Sequence, residues 1–509
     1  MSRINTNVQS LLAQRVLGQQ NQALTKSLER LSTGLAINRG SDNPAGLIAS
    51  EALRSEEASI AAAIGNAERA DQVVNIAEGG LQEINALLLE IQGLVTEAAN
   101  SSGLSTEEKE ANQLQVDSIL QTIDRIAAAT SFQGSKLLNG TYDFTITNQA
   151  ATVADFDINA AKLGHGETRA VQVVVTGSAQ HGSLFLSAAA GAGAALTFGG
   201  AQPNERFIFE IAGSKGSREF SFASGTALTD VAAGINTFKE ITGVSALVSA
   251  TAAGGYVQFR STEFGSDHFV RFNLVDDAGG NYVAAITDHN ASNEDALGGT
   301  TTTLATATNP IRDDGQNVAA IVNGIIATSN GKVAQVNTDF LNVSIELTNG
   351  GATTLATINA FTITGGGAKF NLGPSVDITN QVSLGIRNVA TRFLGNITDG
   401  YLDDLGSGKA SNLTSGNLET AQKVTDAAIS EVSKLRGRLG AFQKNVVGAT
   451  IRSLGVALEN TSAAESSIRD TDFASETANL TRSQILVNAA TNVLAIANAQ
   501  PQSVLALIG

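Results

Sequence analysis

FASETANLTRSQILVNAATNVLAIANAQPQSVLALIG, residues 473–509, closes the chain and carries large apolar residues in steps of seven: Phe473, Leu480, Val487 and Leu494. Ala490 and Ala497 follow three positions after the last two, so a narrow apolar stripe runs along one side of a single helix. Such a stripe is buried only against another helix. At the opposite end, Leu17, Leu24 and Leu31 also step by seven, interleaved with Leu28 and Leu35, and only Asn21 interrupts the alternation. Two narrow seams at the two ends predict that the termini pair with each other, and then with copies of themselves.

Working inward, residues 3–38 read as the first long helix, with Gly40 as a natural stop. Asp42 or Asn43 can cap the next helix with Pro44 at its first position, which puts a joint near residue 42. A second helix is expected over about 45–98, its later half carrying Val74, Ala77, Leu81, Ile84, Leu88, Ile91, Val95 and Ala98 at heptad spacing. Gly79 and Gly80 weaken it by about 1 kcal/mol each relative to Ala. Ser105 and Glu108 have capping-box spacing and begin a third helix, expected to turn Leu114, Ile119, Ile123 and Ile126 inward. The fourth helix of a bundle comes from residues 418–458, where Val432, Leu435, Leu439, Phe442, Val446 and Ala449 step by three and four. Leu81, Ile84, Leu88, Ile91, Leu435, Leu439 and Phe442 are the bundle's expected packing residues.

Between these pieces the pattern changes. Of the 20 phenylalanines, 15 lie in residues 171–405, and short alternating runs replace the heptads. Residues 206–210, 219–222, 256–260, 269–274 and 341–347 read as strands with one buried face, separated by glycine-rich turns at 254–255, 277–280 and 349–351. Residues 142–161 alternate and are expected to form a hairpin against the bundle, with 375–384 pairing nearby. Low-complexity patches at 188–195 and 300–308 read as loops. The fold class is therefore α+β: long terminal coiled-coil helices and a helical bundle with a β-hairpin, plus an inserted β-rich outer region of one or two domains. Expected boundaries are 1–42 and 459–509 for the terminal helices, 43–175 and 406–458 for the bundle, and 176–405 for the insert.

A net charge of −16 with no basic stripe argues against a nucleic-acid binder that works by phosphate neutralisation. Cysteine is absent, which removes disulfides and thiolate metal sites. No apolar run reaches the roughly 18 residues of a membrane span, and residues 1–20 are amphipathic, unlike a signal peptide. The helices' polar faces are poor in Lys and Arg, so packing on partner helices outweighs binding to a lipid surface. His165, His181, His268 and His289 stand apart from one another and read as surface or loop residues. Residues 324–333 have a loose likeness to a phosphate loop, but the glycine spacing is six residues and Val333 stands where a hydroxyl is needed; a strand–turn–strand centred on Asn330-Gly331 fits better. The acid pairs Asp276-Asp277, Asp313-Asp314 and Asp403-Asp404 lack calcium-loop spacing and read as solvated turns. No catalytic residues, cofactor or metal ligands emerge.

SRINTNVQSLLAQ at 2–14, LERLSTGLAIN at 28–38, AAESSIRDTDFASETANLTRSQIL at 463–486 and QPQSVLALIG at 500–509 together resemble bacterial flagellin. The resemblance covers roughly 1–140 and 420–509; residues 227–272 also resemble a repeat of flagellin and hook-protein variable regions. It implies a non-enzymatic subunit that self-assembles into the extracellular filament used for swimming, exported through the flagellar type III channel without a cleaved signal. Implied partners are further copies of the chain, a flagellin export chaperone, and the hook–filament junction and filament cap proteins. A junction protein is the alternative. The implied core-packing residues are Leu17, Leu24, Leu28, Leu31, Leu35, Phe473, Leu480, Val487 and Leu494, with residues 1–40 and 465–509 disordered before assembly. In flagellins detected by the cell-surface Toll-like receptor, a patch centres on an Arg, a Leu one turn on, and a Glu of the next helix. The matching positions here are Glu90, Leu94 and Gln115, a charge reversal and a charge loss that imply weak or absent recognition.

Overall fold

The computed structural model describes residues 6–100, 103–164, 166–187, 196, 206–251, 254–277, 285–290, 293–303 and 310–508. The expected loop at 188–195, His165, and most of the patch at 300–308 lie outside the described residues, as do the side chains of His289 and of residues 501–509. The helices are α1 (Val8–Thr33), α2 (Pro44–Ala98), α3 (Thr106–Ala129), α4 (Leu228–Asn236), α5 (Lys239–Thr242), α6 (Asn349–Thr353), α7 (Leu418–Ala441), α8 (Gly448–Arg469) and α9 (Phe473–Ile508). A π-helical turn, Phe442–Val447, joins α7 to α8. Two compact units result: Met1–Val74, Phe370–Gln381 and Gly440–Gly509 form one, Asn75–Lys369 and Val382–Leu439 the other.

In the first unit, Asn7 caps α1 by accepting the Ser10 N–H at 3.0 Å. The helix stops at Gly34, whose φ of 74° suits a left-handed terminator and whose N–H reaches the Arg30 carbonyl at 2.8 Å. The stop therefore comes before the expected Gly40. Asp42 organises the joint that follows: its carboxylate accepts the N–H groups of Asn38 and Arg39 and pairs with Lys26 Nζ at 2.9 Å. Those contacts, Lys26 first, hold its carboxyl down at about 2. Pro44 opens α2 as expected. The π turn absorbs one residue, so burial passes from Phe442 to Val447 and the half-buried Val446 is displaced from the expected seam.

In the second unit, the later half of α2 packs with α3 and α7. Leu81, Ile84, Leu88 and Ile91 are fully buried, as are Val432 and Leu439, with Leu435 nearly so. Arg436 meets Glu78 at 2.8 Å and Gln92 meets Asp426 at 2.6 Å, which sets α7 antiparallel to α2. Ser105 and Glu108 form the expected capping box. The inward face of α3 differs from expectation. Gln113, Val116, Ile119, Leu120 and Ile123 are buried, Ile126 is half-buried, and Leu114 is 68% exposed, because the seam runs through Gln113 one position earlier. The Gln113 side chain donates to the Leu405 carbonyl at 2.9 Å and accepts the Leu413 N–H at 2.7 Å, tying the returning chain to the bundle.

The β-rich part has two hydrophobic cores. The inner one lies between a five-stranded sheet (325–326, 319–322, 169–177, 357–366, 144–147) and a four-stranded sheet (328–330, 333–337, 341–347, 153–161). Leu341, Val343, Ile345 and Leu347 alternate into this core. The expected hairpin over 142–161 is thus opened. Phe144–Thr147 pairs with Thr357–Gly366 in one sheet and Val153–Ala161 with Leu341–Leu347 in the other, since Ile146 and Phe156 pack into a core shared by both sheets. The return segment does lie beside the second strand: Ser383 Oγ and the Gly385 N–H bond to Ala161 and Asn159. A short hairpin instead pairs Ser131–Phe132 with Ser135–Lys136. The expected hairpin forms at Asn330-Gly331, with Asn330 paired to Val333 and Gly331-Lys332 making the turn, whereas the glycines after Asn349 lie in α6.

The outer core lies between strands 293–303, 285–290, 183–187, 254–261 and 244–251 and strands 311–314, 269–277, 206–212 and 217–223, with α4 alongside. Phe207, Phe209, Phe259 and Phe272 are fully buried there with ring centroids 5.1 to 6.5 Å apart. His181 departs from the surface reading: it is 5% exposed, 3.7 Å from the Phe264 ring. His268 remains part-exposed beside Ser214 and Glu263.

Candidate assembly interface

The first and last long helices form an antiparallel pair. Asn7 Nδ2 donates to the Ala497 carbonyl at 2.7 Å and Ser10 Oγ to Asn498 Oδ1 at 2.6 Å at one end. At the other, Arg30 Nη1 lies 3.5 Å from Glu476 Oε2, Thr471 N–H donates to the Gly34 carbonyl at 2.9 Å, and Ala36 N–H donates to the Arg469 carbonyl at 2.7 Å.

The covered positions on α1 are Ser10, Ala13, Leu17, Gln20, Leu24, Ser27 and Leu31, alternating by three and four; on α9 they are Glu476, Leu480, Ser483, Val487, Ala490, Leu494 and Ala497. Buried outright are the small or polar members: Ser10, Ala13 and Ser27, with Glu476, Ser483, Ala490 and Ala497. Leu17, Leu24, Leu31, Leu35, Leu480, Val487 and Leu494 are half-buried. Small side chains at the contact let two helix axes approach closely, leaving the leucines to flank the line of contact. Sequence reasoning passed over Ser10, Ser27 and Ser483 because they are polar, although Ser10 stands seven residues before Leu17.

Phe473, on the same heptad line with its ring beside Gly34, and Leu28, at the seam's edge, remain 58% and 50% exposed. A second apolar set lies away from the seam: Val8, Leu11, Leu12 and Val16 on α1, and Ile485, Leu486, Val493 and Ile496 on α9, between 37% and 70% exposed. A helix apolar around more than one face is the kind buried on several sides. Elsewhere, Glu90 and Gln115 are exposed on the bundle, but Leu94 is only 8% exposed and faces its core.

Family models add the deciding observation: one described as the bacterial flagellin N-terminal helical region matches residues 4–143, and one described as the C-terminal helical region matches residues 422–508. The chain belongs to the bacterial flagellin family. It is 26% identical to Flagellin B of Helicobacter pylori over 536 residues and 28% identical to Flagellin of Salmonella typhimurium over 555, covering 99% of both chains in each case. Among solved structures, FliC of Burkholderia pseudomallei aligns over 74% of this chain and 99% of its own at 15% identity and a TM-score of 0.22. The D2–D3 domains of the Escherichia coli cap protein FliD cover 44% of this chain and 98% of their own at 18% identity and a TM-score of 0.27. As a flagellin the chain is a structural subunit of the flagellar filament, and no helix among its described residues is long and apolar enough to cross a membrane.

Proposed function

We propose that this flagellin subunit assembles by laying the second apolar set of its α1–α9 pair against the same helices of neighbouring copies. The observation that supports this is the split of each terminal helix into two faces, one closed within the chain by small residues and one left open with large ones. Covering an exposed Leu or Ile side chain contributes about 1.5–3 kcal/mol, enough when repeated along a pair of helices to offset the ordering of the ends. Residues 1–40 and 465–509 therefore order on joining the polymer. The terminal helices, the bundle and the β-rich region share this work, with the strands Phe144–Thr147, Val153–Ala161 and Arg169–Gly177 belonging to the β-rich part.

The chain works outside the cell, exported without a cleaved signal and met by a flagellin export chaperone that covers α9, then by the cap and junction proteins. A hook–filament junction protein is less favoured, since the relatives matched along 99% of both chains are flagellins. Negative-stain microscopy after seeding, with a truncation lacking residues 465–509 alongside, tests assembly. Long filaments from the intact chain and none from the truncation are expected; filaments from both would overturn the role given to α9.

A further inference from the structure

Three groups that together can make a covalent bond meet at the end of one hairpin in the inner β-rich core. Lys332 immediately precedes the strand Val333–Asn337, and Glu346 stands opposite Val333 in the register with Leu341–Leu347. Lys332 Nζ lies 3.2 Å from Asn349 Oδ1 and 3.4 Å from Glu346 Oε1, with the Phe264 ring centroid 6.0 Å away. The Lys332 side chain is only 24% exposed.

The backbone on each side is pinned. Leu347 N–H donates to the Lys332 carbonyl at 3.1 Å, and Gly331 N–H donates to Asn317 Oδ1 at 2.8 Å. Thr348 N–H donates to the Thr152 carbonyl at 2.9 Å, and Thr353 Oγ1 donates to the Asn349 carbonyl at 2.8 Å. An amine is thus held within contact distance of both a carboxamide and a carboxylate at a sheet end with a bonded backbone, the arrangement in which proximity converts a slow bimolecular reaction into an intramolecular one.

We propose that Lys332 and Asn349 are joined by a self-formed amide between Nζ and Cγ. The Lys332 ammonium gives a proton to the Glu346 carboxylate, and the freed amine attacks Asn349 Cγ. Glu346 passes the proton to the departing amide nitrogen, the Cγ–Nδ2 bond breaks, and nitrogen leaves as ammonia, taking up the remaining proton as ammonium. No oxidant or cofactor enters the balance. The product ties Lys332, at the start of one strand, to Asn349, just past the end of the next. It supplies a covalent staple in a chain that has no cysteine, by restricting the unfolded chain as any cross-link does.

Intact-mass spectrometry of the full chain after assembly, followed by protease digestion and peptide sequencing, tests this. A mass lower than the sequence by one ammonia is expected, with peptides containing Lys332 and Asn349 recovered joined. Lys332→Arg and Glu346→Gln should restore the full mass while still forming filaments, which shows that they fold. Three results would overturn the proposal: full mass in the parent chain, conversion of Asn349 to Asp, or an ammonia loss that persists in Lys332→Arg. The last would mark ring closure of Asn349 onto Gly350 instead.

Discussion

Arg30 and Glu476, 446 positions apart in the chain, meet at 3.5 Å across the α1–α9 pair, with the Glu476 side chain only 9% exposed. Arg30→Ala leaves that carboxylate covered and without its cation, at a cost of about 1–3 kcal/mol. The critical concentration for polymerisation, measured by sedimentation, should rise roughly tenfold for each 1.4 kcal/mol lost. Glu476→Gln should cost less, since it removes the charge along with the pairing.

The two faces of α9 make opposite demands on substitution. Ala490 and Ala497 are 7% and 6% exposed where the helices approach, so Ala490→Leu should force them apart at a cost of about 1–3 kcal/mol. Ile496, 70% exposed, has no such constraint within the chain. Ile496→Asp should leave the melting of the bundle unchanged and yet abolish filaments in the electron microscope. Normal filament yield from Ile496→Asp would refute the assignment of the open face.

Gln113 and Leu114 invert the usual expectation for neighbouring polar and apolar residues. Gln113→Ala strands a buried carbonyl at Leu405 and a buried N–H at Leu413, which should lower stability by about 1–3 kcal/mol for each group left unsatisfied. Leu114→Ala, on the exposed side, should stay within about 0.5 kcal/mol of the parent. Thermal melts of the two variants side by side decide this.

The joint at Asp42 carries a pH dependence with a definite sign. Its folded value of about 2 lies below the ordinary 3.8, so its ionised form favours the folded state. That contribution is complete above about pH 4 and is lost as the pH falls towards about 2. The stability gap between the parent filament and Asp42→Asn, followed by acid depolymerisation, should be constant near neutrality and close across that interval.

The resemblance to receptor-stimulating flagellins implies opposite or additional charge at the positions of the exposed Glu90 and Gln115, and Leu94 is covered by its own bundle. A cell reporter for the surface Toll-like receptor should respond weakly or not at all to this chain. Glu90→Arg with Gln115→Glu should raise the response; full potency in the parent would refute the reading.

Heptad spacing made the terminal seams and the bundle legible in the sequence, and capping-box spacing did the same for Ser105–Glu108, because each signal lies in residues a few positions apart. Where partners lie far away the sequence was silent. Nothing local distinguishes Leu114 from Val116 as an outward residue, since the seam is set by the carbonyl of Leu405 that Gln113 must satisfy. The opening of 142–161 into two sheets depends on strands some two hundred residues further on. At the interface, the leucines with Ala490 and Ala497 marked the line along which the two ends meet, whereas the buried Ser10, Ser27 and Ser483 carry no hydrophobic signal of their own.

The antiparallel pairing of α1 with α9 joins one stretch of the chain to another that a ribosome makes long afterwards. A product terminated anywhere before residue 473 owns one half of the pair and cannot complete it. The pairing thus works as proofreading within the molecule: a chain that stops short of α9 leaves α1 without the helix that covers its seam.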